Sequence, residues 1–182
     1  ETLVEGEVGI YVCGITPYSP SHIGHARQAI AFDIIVRWLR KSGFLVNHIT
    51  NFTDIDDKII RIANEENIDF LDVANRNIDD YFEVMDLLNV NRADSYPRVT
   101  ETIPEIIDMI AKLIENGNAY SSHDGVYFEI NTAPEKYGQL TGQTLEMVRE
   151  GAGGRVSETG TGKKNHRDFA LWKIAKPGEP YW

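Results

Sequence analysis

Apolar residues along this chain follow two different periods. Val8-Gly9-Ile10-Tyr11-Val12 is a short β-rich run and predicts a first strand over residues 8–12. From Ala26 to Lys41 the spacing becomes helical, with Ala26, Ala29, Ile30, Phe32, Ile34, Ile35, Trp38 and Leu39 spread over a broad face. Arg40 and Lys41 suit the negative end of that helix, and Gly43 is placed as the glycine just past it. Residues 44–49 return to a strand pattern. Strand, helix and strand in that order make a βαβ unit, which has parallel strands and a right-handed crossover. Ligands in such sheets bind beyond the carboxyl ends of the strands. Cys13-Gly14 and the run Asn51-Phe52-Thr53-Asp54 each follow a strand and therefore meet on one rim.

The rest of the chain alternates helices with a β-rich segment. Residues 54–63 predict a short helix, with Asp56 and Asp57 as its cap and dipole partners. Phe70, Val73, Ala74, Ile78, Tyr81, Phe82, Met85 and Leu88 trace a long amphipathic helix whose stripe reads as core. Thr102-Ile103-Pro104-Glu105 has the spacing of a capping box with proline in the first turn. The helix behind it carries Ile106, Ile107, Ile110, Leu113 and Ile114 and stops near Gly117. Residues 119–130, around Asp124-Gly125, predict a hairpin. Residues 151–165 read as a flexible glycine-rich loop whose glycines lack the spacing of a phosphate loop, despite Lys163 and Lys164. The expected partition is residues 1–116 as the first half of a nucleotide-binding domain, 117–166 as a small β-containing insertion, and 167–182 as a return segment.

Composition narrows the function classes. A single cysteine excludes an internal disulfide and fits a reducing, cytoplasmic setting. No apolar run approaches the roughly 18 residues of a membrane span. The formal charge is −10, from 18 basic and 28 acidic residues, so clustered phosphate-backbone contacts to a nucleic acid are not expected from this chain.

The candidate chemistry lies between the first strand and the first helix, in Cys13-Gly14-Ile15-Thr16-Pro17 and then His22-Ile23-Gly24-His25. A helix start offers unpaired N–H groups and a positive dipole end to phosphate. Gly24 allows close backbone approach. His22 and His25, three apart, lie on neighbouring surface and can donate to phosphoryl oxygens. His48, His123 and His166 have no ligand-like spacing to Cys13 and read as surface or satisfied histidines.

His22-Ile23-Gly24-His25 is identical to the HIGH signature of class I aminoacyl-tRNA synthetases. The chain also resembles the cysteinyl-tRNA synthetases in Asn51-Phe52-Thr53-Asp54-Ile55-Asp56-Asp57-Lys58-Ile59-Ile60, in Gly125-Val126-Tyr127-Phe128 and in Tyr137-Gly138-Gln139-Leu140. The likeness continues in Asp168-Phe169-Ala170-Leu171-Trp172-Lys173 and in Pro177-Gly178-Glu179-Pro180. The resemblance implies an α/β fold: the N-terminal half of a doubly wound, Rossmann-like, HUP-type domain, with residues 117–166 as a connective-peptide-like insertion. It implies activation of L-cysteine by ATP, with Mg2+, to cysteinyl-adenylate, and transfer to tRNA(Cys) through parts mostly outside this chain. His22 and His25 would be catalytic. Gly14, Thr16 and Gly24 would join them in binding ATP. Cys13, Gly14 and Thr53 would face cysteine, with Asp54 as their neighbour. Cys13 resembles one ligand of a Zn2+ site whose other ligands, like the lysine-rich second signature, are expected beyond Trp182. A cysteine ligase acting on an amino sugar resembles the same region, and a catalytically silent nucleotide-binding module is the third reading. An exposed sheet edge is expected to favour self-association.

Overall fold

The first strand of the computed structural model, β1 (Glu7–Ile15), is longer than the apolar run that predicts it. It pairs in parallel with β2 (Leu45–Phe52), from Glu7↔Leu45 to Val12↔Thr50, and then slips so that Ile15 faces Phe52. Cys13, Gly14 and Asn51 therefore lie inside strands rather than after them. Pairing can run on this far because Gly14 brings no Cβ to the interface. The described residues are 2–132, 134, 138–142 and 162–182. Residues 151–161 of the glycine-rich stretch, and Tyr137, lie outside them.

Between the two strands runs α1 (Ile23–Lys41), with Ser42 at its C-cap and Gly43 just beyond at φ +92°. Its buried side consists of Ala26, Asp33 and Val36, while Ile30, Ile34, Ile35 and Trp38 are exposed. The broad apolar face read from the sequence is thus half covered. Asp33 fits in the buried side because it accepts from Arg37 Nε at 2.8 Å and from the Asn91 N–H at 3.2 Å.

After β2 come α2 (Asp57–Glu66) and α3 (Phe70–Leu87). Asp56 caps α2 as expected, its carboxylate accepting from the Lys58 N–H at 2.9 Å. The chain then returns to lie alongside β2. Ser95 and Arg98 bridge in parallel to Ile49 and Phe52, and the Thr50 and Phe52 N–H groups donate to Ser95 O and Pro97 O. Two crossovers, α1 and then α2–α3, are the beginning of a doubly wound α/β fold. One core cluster joins Ile59, Ala63, Val73 and Ala74, with Tyr18 and Phe70 packed against it. A second joins Ile15, Phe52 and Ile78 to Tyr81, Phe82 and Tyr96. Phe52 and Tyr96 stack at 5.4 Å, and Phe82 meets Phe52 edge-on at 5.5 Å. Each such buried ring or branched chain contributes about 1.5–3 kcal/mol.

The capping box expected at Thr102 does not form. A 3-10 turn over Val99–Glu101 leads into α4 (Ile103–Glu115), so the Thr102 hydroxyl is turned back and donates to Arg98 O and Val99 O.

The chain divides into two compact units, Glu1–Ile103 and Pro104–Trp182. In the second, β3 (Ala119–Ser122) and β4 (Gly125–Phe128) form the expected hairpin. A strand that the sequence pattern does not assign, β5 (Phe169–Lys173), adds antiparallel to β4. Asp168, buried just before it, accepts from the Tyr120 hydroxyl at 2.7 Å and from the Ile130 N–H at 3.1 Å. Among the described residues no helix is long and apolar enough to cross a membrane.

Candidate functional site

The site is assembled where β1 and β2 end and α1 begins. Asn51 holds the strand ends together: its Oδ1 accepts from the Gly14 N–H at 2.8 Å and from the Tyr11 hydroxyl at 3.0 Å. Its amide nitrogen reaches Thr53 Oγ1 at 3.4 Å, and the Thr53 N–H donates to Ile15 O at 3.0 Å. A Cβ on Gly14 would stand 1.5 Å from Asn51 O, so glycine is needed there for strand approach. Gly14, Thr53 and the exposed Cys13 thus share one rim, as the strand-end rule requires. Gln28, in the second turn of α1, donates from Nε2 to Cys13 O at 2.8 Å and ties the helix to that rim. Sequence patterning alone assigns no role to Asn51 or Gln28. A polar residue at the end of a parallel strand, one position before Phe52, is the available signal for Asn51.

His22 is the N-cap of α1. Its backbone is extended, at φ −131° and ψ 173°, and its Nδ1 accepts from the Gly24 N–H at 3.1 Å. This bond fixes the chemistry of the ring: Nδ1 is an acceptor, so the neutral ring carries its proton on Nε2, the atom left to donate outward. Gly24 permits the cap, since a Cβ there would lie 2.9 Å from the His22 ring. The space beside Gly24 that the sequence suggests for a ligand is on that side taken by His22 itself.

His25 stacks on His22, with centroids 3.8 Å apart and planes 21° from parallel. Burial holds its proton affinity below the ordinary imidazole value, His22 lowers it further, and Asp80 opposes both. His25 is accordingly neutral at pH 7. The first turn of α1 contains no acidic residue, so nothing there cancels the positive end of the helix dipole. The arrangement offers an anion a helix start and an outward imidazole N–H.

Thr16 follows β1 directly, its carbonyl accepting from the Tyr18 N–H at 2.9 Å. Asp54 is not a free neighbour of the site: it is fully buried and accepts from the Thr100 N–H at 3.0 Å and hydroxyl at 2.5 Å. His48 is half-buried within β2, with its proton affinity lowered mainly by burial, while His123 and His166 are exposed. Among the described residues no three His, Cys, Asp or Glu side chains are grouped to hold a metal ion. Cys13 offers one soft donor, and one donor does not make a zinc site.

The family described as tRNA synthetases class I (C) catalytic domain matches residues 1–182. A cysteine–tRNA ligase of Pyrococcus furiosus is 54% identical over 180 residues, which are 99% of this chain and 37% of that protein. The cysteine–tRNA ligase of Nitratidesulfovibrio vulgaris (strain Hildenborough) is 51% identical over 180 residues, covering 98% of this chain and 36% of its own length. The chain thus spans little more than a third of the curated relatives it matches. Among solved structures, Mycobacterium tuberculosis methionyl-tRNA synthetase in complex with methionyl-adenylate aligns over 68% of this chain and 25% of its own, with a TM-score of 0.57 and 23% identity. That likeness is one of fold.

Proposed function

Because the chain belongs to the family of class I (C) tRNA synthetase catalytic domains, we propose that it is the N-terminal part of a cysteine–tRNA ligase and carries its ATP-binding histidines. The reaction of the whole protein is the activation of L-cysteine by ATP, with Mg2+, to cysteinyl-adenylate, followed by transfer to tRNA(Cys). The observation that carries this reading is the histidine pair at the start of α1, with His22 fixed to present Nε2–H.

Each residue of the site has a role in this reaction. His22 donates to phosphate oxygens from Nε2, and His25 supports the ring from below. Both act on charge that grows as the cysteine carboxylate attacks the α-phosphorus and pyrophosphate departs. Gly14, Thr16 and Gly24 shape the nucleotide side by backbone geometry. Cys13 and Thr53 face the amino acid from the strand ends. No covalent enzyme intermediate is needed. Cys13 would supply one ligand to a zinc ion that accepts the substrate thiol, and the described residues do not complete that site. Residues 117–166 serve as a connective-peptide-like insertion, with 167–182 leading back toward the rest of the catalytic domain. With a net charge of −10, this part leaves most tRNA contacts to other regions of the longer protein.

The test is calorimetric titration of ATP into the chain and into its His22→Ala and His25→Ala variants. Each variant is expected to bind at least about tenfold more weakly, the scale of one lost charge-assisted hydrogen bond. Equal affinity in all three proteins would remove the histidines from the nucleotide site.

A further inference from the structure

The chain enters α1 through a loop that a distant helix holds in place. Asn77 and Asp80 lie three residues apart on α3 and so share one face. The buried Asn77 side chain donates to Pro17 O at 3.3 Å, while also donating to Val73 O in its own helix at 2.8 Å. Asp80 Oδ2 accepts from the Ser21 N–H at 2.7 Å. Pro17 is fully buried. The loop is therefore clamped at Pro17 and again at Ser21, the residue before the His22 cap.

The histidine pair begins immediately after the second clamp. The Asp80 carboxylate fixes the Ser21 N–H one residue before the extended His22 cap. Ser21 Oγ and His25 Nδ1, four residues apart across the helix start, are both buried without a hydrogen-bond partner among the described residues. No direct hydrogen bond at Nδ1 fixes His25, so its placement depends on the stack and on the incoming backbone. The charged groups acting on His25 are His22, across the stack, and Asp80 from α3.

We propose that Asp80 is a positioning residue for the histidine pair, holding Ser21 so that His22 caps α1 and His25 stacks against it, with its own charge facing the stack. A carboxylate suits both tasks. It accepts a backbone N–H strongly, as charged acceptors do, and it offsets the cost of placing a proton on the His25 ring. An asparagine could accept the same N–H but would bring no charge. The functional consequence rests on the proposed ATP site, whereas the positioning itself does not.

The test is proton–carbon NMR of the histidine rings in the 182-residue chain between pH 5 and 8, with exposed His123 and His166 as internal references. In Asp80→Asn, His25 is expected to titrate at lower pH than in the parent, and the references to stay unmoved. In Asp80→Ala the ring-current shifts of the stacked pair should also be lost, and Asp80→Glu should restore both features toward the parent. Parent-like His25 titration in Asp80→Asn would overturn the proposal. So would parent-like ring-current shifts in folded Asp80→Ala; should that variant unfold, Asp80→Asn decides alone. ATP titration of the same proteins is expected to show about a tenfold or greater loss in Asp80→Ala. If the parent binds no ATP, the nucleotide reading fails while the NMR comparison still decides the role of Asp80.

Discussion

His25 shows how placement sets the chemistry of a side chain. Burial and the neighbouring His22 lower its proton affinity, so the unfolded chain takes up a proton at a higher pH than the folded one. Its contribution to stability is present above the ordinary imidazole value of 6.5 and is lost as pH falls from there through the lowered folded value. His48 acts in the same direction. Urea unfolding at pH 7.5 and 5.5, compared between the parent and His25→Gln, should show a shallower loss on acidification in the variant. The same loss in both would mean that His25 titrates alike in the two states. The placement of this pair was legible in the sequence, because the turn residues Pro17 to Ser21 hold off the helix until about Ile23 and the three-residue spacing then puts both rings on neighbouring surface. Their division of labour was not. It depends on a 3.1 Å bond from the Gly24 N–H, which settles which nitrogen of His22 faces outward. Asp54 was equally illegible: next to Thr53 it resembles a site residue, yet it is consumed by Thr100, 46 positions away.

Among the elements, the β1–β2 pairing depends most visibly on one residue. Gly14→Ala would drive a Cβ into Asn51 O, so the strands must part or slip at the rim. A loss of about 3 kcal/mol, the upper range for overpacking, is expected from urea unfolding. A parent-like midpoint would show that β2 gives way at little cost. Elements with a strong period of their own were readable: α1, α3 and α4 from 3.6-residue spacing, and the β3–β4 hairpin from its turn chemistry. Two extended segments were not. Residues 94–98 pair with β2 although they include Asp94 and Pro97, and only tertiary fastening keeps them there. Arg40 donates to both Asp94 oxygens, at 3.0 and 2.8 Å, and the His48 N–H donates to one of them at 2.7 Å. β5 has an apolar run, but its partner β4 lies some forty residues earlier, and nothing local names it. The Thr102 capping box failed for a related reason, since the pattern records a spacing and the preceding 3-10 turn decides where the hydroxyl points.

At the scale of the whole molecule, the outer face of α1 stands out. Ile34 and Trp38 are 61% and 68% exposed, with Ile30 and Ile35 beside them. Contiguous apolar surface of this kind favours association. The chain is expected to self-associate at micromolar concentrations in sedimentation velocity runs, and Ile34→Glu with Trp38→Lys to return it to a monomer. An unchanged distribution would place the contact elsewhere. The two units also differ in how far along the chain their partners are found. Every bond that builds the histidine site, from β1 to the clamp on α3 and the strand-like run at 94–98, is closed within the first 103 residues. The second sheet has to wait for Lys173, because its third strand is made last. As the chain emerges during synthesis, N-terminal units fold first. The histidine site can therefore be finished, rings stacked and helix capped, while the segment that will complete the second sheet is still being translated.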